Sequence, residues 1–178
     1  MERVQTASRR LADDTAAQVS ALWARVEGGA LTVAAFRAAA SAVVARANAR
    51  GVALADIGLT AEVMRQLGRR AAPLGLRPTA IQVDQSRMRA DIDRVLARHG
   101  DPADSPVDGL GDWARSEPLI TVATAVQAGL VARRAGWTRR LAGTSCARCT
   151  AWADGVVRPA GTRMARHPGC DCIQQPVW

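Results

Sequence analysis

The residues of this chain that can do chemistry lie close together near its end. Cys146 and Cys149 are separated by two residues, and His167, Cys170 and Cys172 follow after a short interval. A two-residue spacing lets two thiolates reach one metal ion from a tight turn, and Zn²⁺ takes four nitrogen or sulfur ligands in a tetrahedron. The sequence therefore predicts a zinc site that uses four of these five donors. We expect Cys146 and Cys149 to be among the four. The sequence does not decide which two of His167, Cys170 and Cys172 complete the site.

The four cysteines have two other interpretations, as two disulfides or as free thiols. The N-terminus shows no secretory signal, which favours a reducing compartment, and there the C-x2-C spacing is more typical of a metal site. A thiolate-rich zinc site is closed, whereas a catalytic zinc keeps a position for water. Residues 118–178 contain no Glu, so the usual general base of a hydrolytic zinc is missing from this part. The sequence therefore favours structural zinc in a protein that is not an enzyme. A metalloenzyme is a third and weaker interpretation.

Positive charge is concentrated around the same residues. All 24 basic residues are Arg. Eight of them lie in residues 132–178 beside only two acids, a net of +6 out of +8 for the whole chain. Such a surface suits a polyanion, either nucleic acid or an acidic protein face. The arginines predicted to contact nucleic acid or a partner are Arg139, Arg140, Arg148, Arg158, Arg163 and Arg166.

Two tryptophans lie among these arginines, Trp137 and Trp152. Their rings offer stacking or cation–π contacts, which together with the arginines would make a phosphate-contacting surface. The alternative is a solvated basic face around two structural tryptophans.

Helical periodicity covers most of the chain before these residues. The predicted helices cover residues 2–27, 32–50, 60–70, 79–98 and 117–134. Gly51 is predicted to end the second helix, and Thr79 with Gln82 has the form of a capping box at the start of the fourth. The stretch 100–116 is predicted to be a loop, with Pro118 in the first turn of the last helix. His99 is interpreted as a cation at a helix end.

After residue 135 the pattern changes to alternation. Three short strands are predicted, over residues 137–141, 151–158 and 172–177. A ribbon of this size is only marginally stable alone, so a metal ion would supply stability that its small core cannot. The predicted fold class is therefore mainly α, with a helical body over residues 1–135. A small zinc-ribbon-like β module follows over residues 136–178.

The metal candidates belong to a wider pattern in this module. The pattern consists of Trp137, Cys146, Cys149, Gly155, Pro159, His167, Pro168, Cys170 and Cys172. It resembles the C-terminal domain of the phage Mu F-like head morphogenesis family, whose members are minor capsid proteins of tailed phages and prophages. The Ala- and Arg-rich helical part is similar to small versions from phages of actinobacteria. That composition leaves the partner-binding face of the helices undefined.

The resemblance implies a non-enzymatic minor capsid protein. Such a protein would be made in the host bacterial cytoplasm and would act in the interior of the procapsid or virion, near the portal vertex. The expected partners are the portal protein, the major capsid protein or both, with packaged double-stranded DNA as a further candidate. No membrane span is expected, since the longest uncharged apolar run spans only residues 119–132. No small-molecule substrate is expected either. The alternative function is a small zinc-ribbon nucleic-acid-binding protein.

Overall fold

The computed structural model describes residues 1–98, 105–143, 146–167 and 170–178, and in these ranges the chain is mainly helical. His99, interpreted above as a cation at a helix end, and Pro168, a residue of the family pattern, lie outside these ranges. The described elements are α1 (Glu2–Glu27), α2 (Val33–Leu67), α3 (Ala80–Val83), α4 (Gln85–Arg98), α5 (Val107–Arg133), β1 (Gly136–Arg140), α6 (Ala147–Ala151) and β2 (Ile173–Val177).

The long helices α1, α2 and α5 pack against one another, and α4 covers part of α2. Their apolar side chains form two buried clusters. One cluster is centred on Phe36, Val44, Met88, Ile92 and Leu110, and the other includes Val52, Leu59, Val126, Leu130 and Trp137. Burying each such large side chain stabilises the fold by about 1.5–3 kcal/mol. None of the described helices is long and apolar enough to cross a membrane.

Gly51 does not end a helix, so the prediction of two helices over residues 32–50 and 60–70 is wrong. Helix α2 runs through it as one element and ends at Gly68, which adopts a left-handed conformation (φ 61°). A Cβ on Gly51 would lie 3.0 Å from Cγ2 of Val122 and 3.6 Å from the carbonyl oxygen of Pro118. This glycine therefore lets α5 approach α2 closely, a role that a sequence alone does not distinguish from a helix stop.

The predicted helix over residues 79–98 is divided in two. The capping box is present, and the N–H of Thr79 donates to Oε1 of Gln82 at 2.7 Å, but α3 ends after one turn. Asp84 then adopts an extended conformation, and its carboxylate accepts the N–H groups of Ser86 at 2.9 Å and Arg87 at 3.2 Å. Asp84 is thus the cap of a second helix, α4.

Helix α5 begins ten residues before the predicted start. Leu110 and Ala114 are completely buried, and Trp113 packs against the same cluster. Their spacing of three and four residues places them on one helical face, which outweighs the loop-like content of Asp, Gly and Pro. Pro118 consequently lies inside the helix, where it removes one N–H donor from the helical hydrogen bonds. The predicted loop over 100–116 is therefore wrong for its described part from Val107 onward.

A two-stranded antiparallel sheet joins β1 and β2, with Trp137 opposite Pro176 and Arg140 opposite Ile173. The predicted third strand over residues 151–158 is not formed. Its first residue belongs to α6, and only Arg158 pairs with Trp137, through two backbone hydrogen bonds of 2.9 and 2.8 Å. Gly155 (φ 74°) turns the chain before that bridge. The coarser prediction, a mainly helical chain with a small sheet near its C-terminus, is confirmed.

The sheet lies on the helices. Gln175 of β2 donates to Glu62 of α2 at 2.8 Å, and Gln66 donates to the carbonyl oxygen of Pro176 at 3.0 Å. Ile173 and Trp137 belong to the same apolar cluster as the helical residues. The helices thereby fix the position of the two strands between which the candidate ligands lie in the chain.

Candidate metal centre

The first candidate ligand lies at the start of a short helix. Cys146 is the residue that precedes α6, and its side chain is exposed. Hydrogen bonding from the backbone N–H of Cys149 lowers the pKa of the Cys146 thiol, and the N–H of Arg148 and the nearby His167 act in the same direction. These groups outweigh the opposing effect of burial. The sequence Cys-Ala-Arg-Cys thus folds into a turn that favours the thiolate of its first cysteine.

The second candidate ligand is at the centre of the cluster. Cys149 is 1% exposed, and its Sγ lies 3.5 Å from Sγ of Cys170. Burial raises the pKa of the Cys149 thiol, and the neighbouring thiols of Cys170 and Cys172 raise it further. Among these three buried sulfurs, ionisation of Cys149 is therefore unfavourable unless a cation is present. A bound metal ion would reverse this balance and release the protons.

His167 connects the exposed and the buried cysteines. Its Nε2 lies 3.1 Å from Sγ of Cys146 and 3.1 Å from Sγ of Cys149. The donor atoms of these three residues all lie within 4.8 Å of one another, as do those of Cys149, Cys170 and Cys172. In a tetrahedral zinc site with Zn–S bonds of about 2.3 Å, neighbouring sulfurs are about 3.8 Å apart. The cluster therefore has the donors and the dimensions to hold a metal ion.

The sulfur atoms of Cys149 and Cys170 are close together but are not bonded to each other. The separation of 3.5 Å between Cys149 and Cys170 exceeds the S–S bond length of about 2.05 Å. None of the four cysteines takes part in a disulfide in this structure. The arrangement thus matches the predicted grouping of the five donors, and the disulfide interpretation has no support in the geometry.

Arg166 supports the loop that carries two of the sulfurs. Its guanidinium donates to the carbonyl oxygen of Cys172 at 3.3 Å and to that of Cys170. Burial lowers the pKa of Arg166, and Cys170 and Cys172 counter this effect. Arg166 was predicted to lie on a partner-binding surface, whereas here its guanidinium donates to the carbonyl oxygens of Cys170 and Cys172. Nothing in the local sequence around Arg166 predicts this contact.

Helix α1 holds the same loop from the other side. Nε of Arg9 lies 2.7 Å from Oδ2 of Asp171, and Nε2 of Gln5 donates to the carbonyl oxygen of Asp171 at 3.1 Å. Asp171 lies between Cys170 and Cys172 in the chain, so these contacts fix the backbone of both cysteines. Arg9 and Gln5 were not predicted from the sequence, since no short-range pattern relates them to the cysteines.

The six predicted surface arginines differ in their surroundings. Arg140 forms an ion pair with Glu2 at 2.8 Å, and Arg148 is exposed on α6. The arginines that the structure brings together are Arg139, Arg158 and Arg163, which line a cleft beside the cluster. Whether any of the six contacts nucleic acid or a partner stays a prediction.

Comparisons with protein-family models, with curated proteins and with solved structures found no match to this chain. The proposals below therefore depend on the geometry of these residues and on the sequence pattern that they belong to.

Proposed function

We propose that residues 136–178 form a zinc-ribbon-like module with one structural Zn²⁺. The ligands are Cys146, Cys149 and His167, with either Cys170 or Cys172 as the fourth. The observation that supports this most directly is the position of Cys149, whose sulfur belongs to both groups of three converging donors. Thiolate and imidazole donors select zinc over the oxygen-preferring Mg²⁺ and Ca²⁺.

The ion would cross-link the turn at α6 to the segment that enters β2. Between these parts the described residues, 152–167 and 170–172, form little regular structure, and among them only Arg158 makes a bridge to the sheet. Two strands without such a link are marginally stable, and a metal ion contributes its binding free energy to folding. The proposed role of the ion is therefore structural, with all four positions filled by side chains.

Metal content and thiol titration of the native protein test this proposal. One zinc ion per chain and no disulfide are expected. Among single serine variants, Cys146→Ser and Cys149→Ser should lose the ion. Of Cys170→Ser and Cys172→Ser, one should lose it and the other should retain it, which identifies the fourth ligand. A native protein without metal, or with two disulfides, would show that the proposal is wrong.

For the whole protein, we propose a non-enzymatic role as a minor head protein of the Mu F-like type. The support is the sequence pattern together with the roles that its residues have here. Trp137 is 2% exposed and donates its indole N–H to the carbonyl oxygen of Thr162 at 3.0 Å. Gly155 has the positive φ of a left-handed turn, and Pro159 accepts a turn hydrogen bond from Thr162. Residues of the pattern thus build the module, as expected if the pattern specifies a fold.

The proposed place of action is the interior of the procapsid or virion, with the portal protein or the major capsid protein as partner. The test is co-purification with procapsids and with isolated portal complexes from the host bacterium that makes the protein. The Cys149→Ser variant is the matched control, because it removes a proposed metal ligand and leaves the sequence of the helical part as it is. Absence of the native protein from procapsids, virions and portal complexes would exclude this role.

A zinc-ribbon nucleic-acid-binding module is the second candidate function. It is favoured by the net charge of +6 in residues 132–178 and by the arginines brought together beside the cluster. It predicts binding of the native protein to duplex DNA with a steep salt dependence, and a lack of detectable binding would remove it.

A further inference from the structure

The arginine-lined cleft lies between β1 and the segment that follows Arg158. Its volume is about 210 Å³, and its walls include three guanidinium-bearing side chains, those of Arg139, Arg158 and Arg163, with Trp137 and Trp152. The described lining contains no carboxylate. A small cavity with several guanidinium groups and no acid has the charge of a site for an anion.

The positive charge of the cleft is only partly neutralised within the protein. Arg158 forms an ion pair with Asp154 at 2.5 Å. Within the described residues, however, no carboxylate forms an ion pair with Arg139 or Arg163, and Arg163 is exposed. The guanidinium of Arg163 is therefore available to an external anion, and that of Arg139 adds positive charge that no carboxylate neutralises within the described residues. Guanidinium groups fit phosphate through paired N–H donors.

Part of the cleft is held in place before any ligand arrives. Arg139 donates to the carbonyl oxygen of Ala165, and its guanidinium lies 5.1 Å from the ring centroid of Trp152. Its Nη1 is also 3.9 Å from Sγ of Cys149. Because Trp152 is already covered by this guanidinium on one side and Trp137 is buried in the core, the rings shape the cleft more than they offer faces for base stacking. Recognition would therefore concern the phosphate rather than the base.

We propose that this cleft binds a phosphate group of a nucleic-acid backbone, without selecting the sequence. The inference rests on the proposed metal-bound module, since Arg139 also contacts a candidate ligand. Phosphate would then be the ligand of the module. A structural zinc ion by itself does not require the module to bind any ligand.

The experiment measures binding of a short fluorescent DNA duplex of mixed sequence to the full-length, zinc-loaded protein over a range of salt concentrations. Arg163→Gln removes one charge from the cleft, and Arg134→Gln is the matched control, with the same charge change on an exposed arginine outside the cleft and outside the predicted contact residues. Loss of a charged phosphate contact is expected to weaken binding by roughly ten-fold in Arg163→Gln. The slope of log K against log salt should also decrease by about one unit. The control should change much less.

Zinc content measured on each sample separates the two proposals. A zinc-loaded native protein that does not bind the duplex would overturn the cleft proposal and leave the metal site intact. Equal losses in Arg163→Gln and Arg134→Gln would also overturn it, because they would indicate diffuse attraction to the whole basic stretch of residues 132–178. A protein without zinc would contradict the metal site itself.

A second arm identifies the source of the phosphate. Inorganic phosphate is titrated at constant ionic strength while the intrinsic fluorescence of the tryptophans in the cleft is recorded. Weak or undetectable binding of inorganic phosphate, beside tight binding of the duplex, supports the nucleic-acid backbone as the ligand. Saturation by inorganic phosphate that Arg163→Gln abolishes, with no binding of the duplex, would overturn the assignment to nucleic acid.

Discussion

Arg166 contacts the loop of two candidate ligands, and its guanidinium donates hydrogen bonds to the carbonyl oxygens of both Cys170 and Cys172. A single planar guanidinium with fixed donors is well suited to hold two carbonyl groups of a short loop. Lys in the same place would keep the charge but would lack the fork of donors. The position of the two cysteines therefore depends on the shape of the Arg166 side chain as well as on its charge.

Replacement of Arg166 is expected to weaken metal binding without removing a ligand. Arg166→Ala should lower zinc affinity by about 10- to 100-fold, the usual effect of losing an outer contact of a metal site. Arg166→Lys should restore only part of it. Competition against a chromophoric chelator measures the affinity, and Arg148→Ala, an exposed arginine of the same module, is the control. An Arg166→Ala variant with unchanged zinc affinity would show that the loop is held by other contacts.

Glu62 of α2 is a second residue with contacts to distant parts of the chain that its local sequence does not predict. It is 4% exposed and accepts hydrogen bonds from Gln66 at 2.6 Å and from Gln175 at 2.8 Å. Burial by itself would raise the pKa of its carboxyl group, but hydrogen bonds from Arg65, the amino group of Met1 and Gln66 outweigh it, so the pKa is lowered. The charged carboxylate therefore stabilises the folded protein.

This lowered pKa predicts a loss of stability in acid. A carboxyl group whose pKa is lower in the folded than in the unfolded protein contributes fully above its unfolded pKa of about 4.3. That contribution disappears as the pH falls from there toward the folded pKa. Urea unfolding should show that Glu62→Gln lowers stability at neutral pH by about 1–3 kcal/mol and has less effect in acid. Glu2→Gln, which alters an exposed ion pair with Arg140, should change stability by less than about 1 kcal/mol at either pH.

Single residues also show what a sequence can predict about the site. The spacing of Cys146 and Cys149 is a local property, so their convergence follows from a turn of four residues. The contact of Arg9 with Asp171 joins residues 162 positions apart. It depends on how α1 lies against the sheet, which no local pattern records. The candidate ligands were therefore predictable, whereas the side chains that hold them were not.

At the scale of elements, glycines mark the places where the long helices touch. A Cβ on Gly58 of α2 would lie 1.9 Å from Cγ2 of Val4 in α1. A Cβ on Gly129 of α5 would lie 2.2 Å from Cδ1 of Leu59, which is completely buried. The missing side chains let the helix axes come close together, and the apolar clusters form around these crossings.

A pair of substitutions within α5 tests the role of these contacts. Gly129→Ala should destabilise the protein, because overpacking a core costs about 1–3 kcal/mol and Leu59 has no free space to move into. Gly111→Ala should stabilise it by up to about 1 kcal/mol, since Ala favours a helix and the nearest atom, Oγ of Ser20, lies at an ordinary 3.5 Å. Thermal or urea unfolding of both variants measures the difference. Equal effects of the same sign would contradict the proposed close approach.

The same contacts explain which element boundaries the sequence predicted. Helix α1 ends at Gly28, after the predicted last residue 27. Two glycines follow one another there, and within the described residues a Cβ on Gly28 would meet only the carbonyl oxygen of Ala24 in the same helix. Gly51 and Pro118 carry similar local signals but lie inside helices, since α2 and α5 pack on each other at that point. Tertiary packing decided these cases, and an isolated sequence window contains no information about the packing partner.

At the scale of the whole molecule, the sheet and the helices share one apolar cluster. Trp137 and Ile173 from the sheet pack with Val4, Leu59 and Val126 from three helices. The division into a helical body up to residue 135 and a separate module stays a prediction. The shared cluster leads us to expect that the two parts unfold together, because loss of the sheet would expose helical core residues to water.

Removal of the proposed zinc ion is therefore expected to lower the melting temperature of the helices. A ligand at a thousand times its Kd stabilises a protein by about 4 kcal/mol. For a chain of this size each kcal/mol shifts the melting temperature by about 2–4 °C, so we expect a decrease of about 10 °C. Far-UV circular dichroism with and without a chelator measures it, and Cys146→Ser is the control that should not respond. Helices that melt at an unchanged temperature after chelation would show two independent units.

The pairing of α1 with the loop at Asp171 also orders the events of folding in time. Gln5 and Arg9 are made early, whereas their partner is made more than 160 residues later. Closing so long a loop carries a large entropic cost and is slow compared with contacts between neighbouring helices. On the ribosome, α1 can pack with α2 while its face toward Asp171 stays uncovered. We therefore expect a stage in folding at which the helices are packed but Gln5 and Arg9 do not yet contact Asp171, so that the loop of Cys170 and Cys172 is not yet held by α1.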